Sequence, residues 1–277
     1  MKHPATKSLL LKKIAIIGLL IPLSLAPAIL AADALSRKPE KFDFGGGTAY
    51  FYAAPNPMPG RPWVWFFPTL KAIPLVNRKV CFEGFLNAGV GIAGYDIGEV
   101  RGAPGSTEQF TRVYDEKVRR GWSSKPILIG QSRGGLMALA WAIQNPEKPR
   151  AFVGIYPVLN LKTWGLKNMK VTLADYKMPE AELRERIAEF NPIDNLKPLI
   201  DKKLPVFIVQ GDADKAVPHQ ENAVLMKERY EAGNAPITVR LFPGLGHQAA
   251  PEFFENKELI EFVLKQAELK TRQPGSP

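Results

Sequence analysis

The sequence predicts an α/β fold, in which a doubly wound, mostly parallel sheet carries helices on both faces. Two observations lead to this prediction. Short apolar runs typical of buried strands recur along the chain, and helical patterns separate most of them. At 277 residues, the chain is long enough for one such domain with a sizeable core. In this fold class, functional residues gather at the carboxyl ends of the parallel strands.

The first half of the predicted sheet is rich in aromatic residues. Residues 47–52 predict an early edge strand, and a proline-rich turn separates them from the aromatic strand 63–67. Residues 80–88 follow a helical pattern, and the run 89–97 predicts the next strand. The helix carries Cys81 on its expected buried face. Because this is the only cysteine, no intramolecular disulfide can form.

The second half of the predicted sheet repeats the strand–helix alternation. A helix over 110–120 leads into the apolar strand 126–130. Further strands are predicted at 152–156, 204–210 and 237–241, since each run is short, apolar and bounded by polar residues, glycine or proline.

The strand at 126–130 ends in a serine flanked by glycines. Gly130 and Gly134 permit a turn sharp enough to project Ser132 clear of the strand and of the apolar helix that follows. The same turn directs the backbone N–H of Arg133 towards the oxygen of an attacked carbonyl. We therefore predict a nucleophile elbow with Ser132 as nucleophile. The alternative is a glycine-rich turn that carries a solvated serine.

A serine nucleophile needs a base and an acid that orients the base. Downstream of Ser132, the strand 204–210 is followed by two aspartates, and we predict Asp214 as the acid because Asp212, directly after a glycine, is better suited to shape the turn. We predict His247 as the base, since it follows the last strand in a glycine-containing loop. His219 is predicted to be an exposed residue in a first helical turn.

These motifs resemble those of α/β-hydrolases, and the similarity covers essentially everything after the leader. The residues that carry it are 130–134, 211–218 and 244–247. Within the superfamily, the chain is most similar to the dienelactone hydrolase and prolyl-oligopeptidase-like branch. This resemblance implies the α/β-hydrolase fold, serine hydrolase activity, and an acid at the second aspartate of a Gly-x-x-Asp loop, which is Asp214. The branch often has histidine where this chain has Gln210.

The second donor of the oxyanion hole is less clearly marked. Many esterases of the superfamily carry His-Gly-Gly after the third strand, whereas here the strand 63–67 runs into Pro68, Thr69 and Leu70. By position, the donor is the backbone N–H of Thr69 or Leu70, and we predict Thr69.

The segment 157–203 is too long for a plain connection between strands. It contains a helix at 179–190 and is predicted to form a small helical lid over the pocket. Trp164 and Tyr176 either line the pocket, by stacking on an acyl group or a sugar, or pack the lid against the body of the domain.

The glycine-rich loop 96–105 is the other predicted part of the pocket. Glu99 and Arg101 either hold a polar group of the substrate or form an ion pair with each other. The side chain of Arg133 either binds a carboxylate or anchors neighbouring loops.

The first 32 residues predict a secretory signal peptide, and residues 33–277 the hydrolase domain. The leader has a lysine-rich start, an apolar middle and an alanine-rich end. We therefore expect a secreted or periplasmic protein without stable membrane insertion after cleavage. An uncleaved membrane anchor is the alternative, because the apolar stretch is nearly long enough to span a bilayer.

Charge and composition argue against several other functions. Four of the 37 basic residues lie in the leader, which leaves 33 against 27 acidic residues and a net charge of +6. This charge is scattered, whereas a nucleic-acid binder needs a concentrated patch.

Few histidines and a single cysteine predict no metal site. The run Gly89-x-Gly91-x-x-Gly94 opens no helix, so no dinucleotide cofactor is expected. The oligomeric state is left open.

Together, these predictions describe a secreted serine hydrolase that cleaves carboxylic esters through an acyl-enzyme. Acyl esters on carbohydrates are the preferred substrates, since the pocket candidates combine polar and aromatic residues. One alternative is a small peptidase of the prolyl-oligopeptidase-like type, although the large accessory domain of such enzymes is not expected here. A second alternative is a noncatalytic binding protein on a hydrolase scaffold.

Overall fold

The computed structural model describes Met1, residues 38–67 and residues 79–268. The predicted leader and the predicted donor Thr69 lie outside these residues. The strands are β1 Glu40–Phe44, β2 Gly47–Tyr52, β3 Trp63–Phe67, β4 Gly91–Asp96, β5 Ile127–Gln131, β6 Ala151–Ile155, β7 Val206–Gly211 and β8 Ile237–Phe242. The helices are α1 Lys79–Asn87, α2 Ser106–Arg119, α3 Gly134–Gln144, α4 Leu161–Lys167, α5 Met169–Tyr176, α6 Glu180–Phe190, α7 Lys197–Asp201, α8 Ala223–Ala232, α9 Pro251–Phe254 and α10 Lys257–Glu268.

These eight strands form one sheet in the order β1-β2-β4-β3-β5-β6-β7-β8. Strand β2 pairs antiparallel with β1 and β4, and the other five pairings are parallel. The doubly wound, mostly parallel sheet of an α/β-hydrolase is thereby confirmed. The edge position predicted for 47–52 is wrong, because β1 pairs outside it. The alternating charged and aromatic residues of β1 suit a half-exposed edge.

Both faces of the sheet are covered, as near-continuous apolar strands require. On one face, Trp63 and Trp65 of β3 pack with Phe110 of α2 and Trp141 of α3. On the other face, α1, α9 and α10 cover Val64 and Phe66, and Cys81 is buried there as predicted. The described residues from 38 onwards belong to one compact unit. Among them, no helix is long and apolar enough to cross a membrane.

The connection between β6 and β7 is helical, and it contains α4 to α7. The helix predicted at 179–190 is observed as α6, whereas α4, α5 and α7 were not predicted because each has eight residues or fewer and shows little periodicity. The insertion has its own apolar cluster, in which Leu161, Leu183 and Ile187 pack together with Leu136 of α3. It therefore packs against the helix that begins at the elbow.

Candidate active site

Ser132 lies at a strained turn between β5 and α3. Its φ of 50° falls in the left-handed region, which residues other than glycine rarely adopt. Three backbone hydrogen bonds hold it there: its N–H donates to Ile155 (3.0 Å), and its carbonyl accepts from Gly135 (2.9 Å) and Val158 (2.8 Å). Strain of this kind persists only where the surroundings impose it, and it is common at functional sites.

The elbow leaves no room for side chains beside the serine. A Cβ built on Gly134 would lie 1.8 Å from the carbonyl oxygen of Phe67, at the end of β3. Backbone cannot yield as the end of a flexible side chain can, so only glycine fits at this position. The first turn of α3 therefore lies directly against the carboxyl end of β3.

Ser132, His247 and Asp214 form a continuous chain of hydrogen bonds. The Oγ of Ser132 lies 2.8 Å from Nε2 of His247, and Nδ1 of His247 lies 2.8 Å from Oδ2 of Asp214. The Asp214 side chain is fully buried, and its Oδ1 accepts hydrogen bonds from the backbone N–H groups of Ala216 and Val217. The structure thus brings together the three residues predicted as nucleophile, base and acid.

Asp212 has a different environment from Asp214. It is exposed, and its Oδ1 accepts a hydrogen bond of 2.7 Å from the backbone N–H of Gly244 in the loop that carries His247. The same loop approaches the end of β7 so closely that a Cβ on Gly211 would lie 2.0 Å from the carbonyl oxygen of Leu245. Asp212 and Gly211 therefore shape the loop of the base.

Gln210 occupies the position where the similar branch often has histidine. It is fully buried, and its Nε2 donates to the carbonyl of Val217 at 2.6 Å, across the loop that carries Asp214. The glutamine thus supports the acid loop from inside the sheet.

The backbone N–H of Arg133 is available for an oxyanion. Within the described residues, this N–H donates to no acceptor, and it begins the helix α3, whose N-terminal end carries partial positive charge. It also directly follows Ser132, as an oxyanion donor must. The second predicted donor, Thr69, lies outside the described residues.

A network of charged residues surrounds the side chain of Arg133. Glu99 accepts a hydrogen bond of 2.7 Å from Arg133 with one carboxylate oxygen and a bond of 2.7 Å from Arg101 with the other. Arg101 also donates to Asp175 of α5. The predicted alternative of a Glu99–Arg101 ion pair is therefore observed. Burial raises the pKa of Asp175, although the neighbouring Arg101 opposes this shift.

Trp164 and Tyr176 differ in their surroundings. The half-buried indole of Trp164 lies 5.6 Å from the Arg133 guanidinium and 5.5 Å from that of Arg101. Tyr176 is only 5% exposed, and its hydroxyl donates to the carbonyl of Arg101 at 3.2 Å. Its ring lies against Phe190 of the insertion and shares an apolar cluster with Ala103 of the body, so Tyr176 packs the insertion onto the body of the domain in this structure.

Two residues next to the site were not singled out in the sequence. Tyr156 follows β6, is 3% exposed and lies with its ring centroid 4.8 Å from that of His247. Gln131, the residue before Ser132, donates a hydrogen bond to the Tyr156 hydroxyl. The available signal was the position of Tyr156 directly after a buried strand, where site residues of parallel sheets gather.

The residues of the site offer hydroxyl, imidazole and carboxylate groups suited to acyl transfer.

His219 lies in a short 3₁₀ helix after Pro218 and is half-buried. In residues 38–67 and 79–268, no group of three or more His, Cys, Asp or Glu side chains is arranged to hold a metal ion.

The sequence and the fold of this chain are similar to those of known proteins. The sequence profile of the prolyl oligopeptidase family matches residues 98–268, which is more than half of the chain. This segment contains every described residue of the candidate site.

Three solved structures illustrate the range of similar proteins. A puromycin-hydrolysing peptidase from Mycobacterium tuberculosis is 16% identical, with a TM-score of 0.70 over 89% of this chain and 42% of its own. A carbohydrate esterase from gut microbiota, in a truncated form, is 15% identical, with a TM-score of 0.61 over 83% of this chain and 99% of its own. An S-formylglutathione hydrolase from Agrobacterium tumefaciens is 15% identical, with a TM-score of 0.59 over 84% of this chain and 99% of its own. The chain thus spans less than half the length of the peptidase, and at these identities the likeness concerns the fold.

Proposed function

Because the chain belongs to the prolyl oligopeptidase family and is a serine hydrolase of the α/β-hydrolase superfamily, we propose that it cleaves carboxylic esters through Ser132, His247 and Asp214. The observation that carries this proposal is the unbroken chain of hydrogen bonds from Asp214 through His247 to Ser132, with both links at 2.8 Å. A hydroxyl at a strained turn, in contact with an oriented imidazole, is the arrangement that nucleophilic acyl transfer needs.

The proposed reaction begins when Ser132 Oγ attacks the ester carbonyl and His247 Nε2 accepts the serine proton. Asp214 holds the Nδ1–H of His247 and stabilises the imidazolium. The backbone N–H of Arg133 donates to the oxyanion. The imidazolium then protonates the leaving alcohol. Water, deprotonated by His247, attacks the acyl-enzyme and releases the acid.

The preferred substrates are acyl esters on carbohydrates. Two features support this preference. Trp164 is half-buried at the site with the Arg133 guanidinium 5.6 Å from its ring centroid, and an aromatic side chain among polar groups suits a sugar. The fold also aligns with 99% of the length of the truncated form of the carbohydrate esterase.

Peptide cleavage is the second candidate. It is favoured by the family match and by the fold shared with the puromycin-hydrolysing peptidase. Ester cleavage is preferred because the alignment spans only 42% of that peptidase.

We also propose export from the cytoplasm, either as a secreted or periplasmic protein or with an uncleaved leader as anchor. The proposal rests on the basic, apolar and alanine-rich order of the first 32 residues. Fractionation of expressing cells, with mass determination of the mature N-terminus, distinguishes cleavage from anchoring. Recovery of the full-length chain in the cytosol would contradict export.

Fluorophosphonate labelling tests the catalytic proposal. We expect the purified protein to be labelled and to hydrolyse p-nitrophenyl acetate and butyrate, and Ser132→Ala to lose both properties. Ser124→Ala, which changes an exposed serine before β5, is the matched control and should behave as wild type. Labelling with turnover of matched anilides but not of esters would favour a peptidase. A folded protein that is not labelled would contradict the proposed mechanism.

Turnover of acetylated oligosaccharides, compared with p-nitrophenyl acetate, tests the substrate preference. A clearly higher kcat/KM for the sugar esters supports a carbohydrate esterase. Equal or lower values would contradict that preference while leaving ester hydrolysis in place.

A further inference from the structure

Tyr156 lies at the point where the segments that carry the nucleophile, the acid and the base approach one another. Its ring and the His247 imidazole meet at a steep angle of 69°, with centroids 4.8 Å apart. Its hydroxyl accepts a hydrogen bond from Gln131, the residue before the nucleophile. Among the described aromatic residues, Tyr156 is the one whose ring contacts His247.

The backbone around Tyr156 is fixed on both sides. The Tyr156 N–H donates to the carbonyl of Val209 in β7 at 2.7 Å, and the N–H of Val158 donates to the carbonyl of Ser132 at 2.8 Å. The φ of Tyr156 is 37°, a left-handed conformation that is rare for an aromatic residue. Because strain is retained only where the surroundings impose it, this turn directs the ring of Tyr156 into a defined position.

The ring of Tyr156 is also supported from behind. It packs against Phe253 of α9 with centroids 5.4 Å apart and against Phe254 at 6.2 Å. Only 3% of Tyr156 is exposed. The ring is therefore a rigid wall, since neither its backbone nor its neighbours leave it space to move.

His247, in contrast, lies on a partly exposed loop. Residues 243–249 are half-buried or exposed, and 24% of the His247 side chain is accessible. The hydrogen bonds to Asp214 and Ser132 fix the directions in which the two ring nitrogens point, but on this loop they leave the imidazole free to tilt about the axis between its two partners. A rigid surface beside the imidazole removes this freedom.

We infer that Tyr156 is a positioning residue that holds the His247 imidazole in the plane at which it contacts Ser132 and Asp214 simultaneously. This inference rests on the proposed function, because it assigns Tyr156 a role through His247. The hydroxyl of Tyr156 contributes as well. Its hydrogen bond with Gln131 joins the ring to β5, the strand that presents the nucleophile. The ring thus acts through His247, by keeping the imidazole aligned with the Ser132 hydroxyl.

The test compares Tyr156→Leu with Tyr156→Phe in the full-length protein. Tyr156→Leu removes the wall, and we expect kcat for p-nitrophenyl butyrate to fall about 10- to 100-fold with little change in KM, as misplacement of a catalytic group predicts. Tyr156→Phe keeps the wall and loses only the hydroxyl, so it should retain most of the activity. Phe85→Leu is the matched control, because it removes a fully buried ring on the same face of the sheet whose ring contact is with Phe82 and leaves the support of Tyr156 in place.

Proton NMR supplies a readout that a loss of packing elsewhere would not move. The Nδ1 proton shared by His247 and Asp214 should give a far-downfield resonance in wild type, Tyr156→Phe and Phe85→Leu. This resonance should broaden or vanish in Tyr156→Leu, because an imidazole that tilts exchanges its proton with water. If Tyr156→Leu does not fold, Tyr156→Met, whose flexible side chain adapts better to the space that the ring leaves, takes its place.

The outcomes separate this inference from the proposed function. An inactive, unlabelled wild-type protein would contradict the proposed function itself. An active wild type, with Tyr156→Leu matching it or falling no further than Phe85→Leu, would overturn the positioning role alone. An unchanged downfield resonance in Tyr156→Leu would overturn it as well.

Discussion

Asp212 and Asp214 lie two residues apart, yet only Asp214 contacts His247. Asp214 Oδ2 lies 2.8 Å from the imidazole Nδ1, whereas Asp212 Oδ1 accepts the backbone N–H of Gly244. The fully buried Asp214 is held by two further backbone N–H groups, which fix its carboxylate on the histidine. One carboxylate orients the base, and the other holds the loop on which the base lies.

Asparagine substitutions distinguish these two roles. Asp214→Asn should lower kcat by roughly 10³- to 10⁴-fold, because the amide neither stabilises the imidazolium nor holds the correct tautomer. Asp212→Asn keeps an oxygen that can accept the Gly244 N–H, so kcat should fall less than about threefold. Steady-state kinetics with p-nitrophenyl butyrate measures both. The acid assignment is wrong if Asp212→Asn is the more damaging variant.

Gly134→Ala tests the contact between the elbow and β3. The added Cβ would meet the carbonyl oxygen of Phe67 at 1.8 Å, so either the start of α3 or the end of β3 must move. We expect a loss of about 2–4 kcal/mol in the free energy of unfolding and little remaining fluorophosphonate labelling. Gly98→Ala is the control, because a Cβ there meets nothing within 4 Å, although its φ of 81° adds some strain. Equal stability of the two variants would contradict this account of the elbow.

Local patterns in the sequence predicted seven of the eight described strands but missed β1, which forms the edge, and they singled out the residues of the candidate triad. A buried strand, a glycine-flanked serine and an apolar helix are adjacent in the chain, so their juxtaposition is set by short-range geometry. The carboxyl ends of parallel strands share one edge of the sheet, which is why Asp214 and His247 were placed near Ser132 from chain order alone. Thr69 stays a prediction, since it lies outside the described residues.

Contacts between distant segments were harder to predict. Asp175 and Arg101 are separated by 74 positions, and Tyr156 reaches Gln131 across 25. These contacts depend on how the insertion and the end of β6 pack, which no periodicity encodes. The short helices α4 and α5 were missed for the same reason, because tertiary packing stabilises them more than their own sequence does.

Glu99 should contribute more to stability than Asp175. Among the described carboxylates, Glu99 is the one that pairs with both Arg101 and Arg133, so Glu99→Gln removes the counter-charge that these two largely buried guanidinium groups share. We expect Glu99→Gln to lower the free energy of unfolding by about 2–3 kcal/mol. Asp175→Asn should cost less than about 1 kcal/mol, because Arg101 keeps Glu99 and the removed carboxylate is itself poorly solvated.

Urea unfolding at pH 7 measures the free energies of unfolding of Glu99→Gln and Asp175→Asn and shows which variant is the less stable. If Asp175→Asn is the more destabilising variant, the attachment of α5 matters more than the bridge between the arginines. A lower kcat in Glu99→Gln, with unchanged fluorophosphonate labelling of Ser132, would further indicate that Glu99 acts on substrate and not only on the elbow.

Lys117 is a fully buried lysine inside an aromatic cluster. Its Nζ lies 3.1 Å from the ring centroid of Trp122 and 3.7 Å from that of Phe51, and it has no hydrogen-bond partner in the part of the chain that the structure describes. Burial lowers the pKa of Lys117 to about 6, and the positive charge of Arg61 acts in the same direction. Glu40 opposes the shift but does not overcome it.

This lysine makes stability depend on pH. Between pH 6 and the ordinary pKa of lysine, the unfolded chain holds a proton that the folded protein lacks, so the free energy of unfolding rises with pH by up to ~1.4 kcal/mol per pH unit. Lys117→Met removes the titrating group and keeps the apolar stem, so it should stabilise the protein at pH 7 by ~2 kcal/mol or more. The advantage of Lys117→Met should shrink steadily towards pH 10. Urea unfolding of both proteins between pH 6 and 10 measures the difference, and parallel stability curves would show that Lys117 is protonated in the folded state.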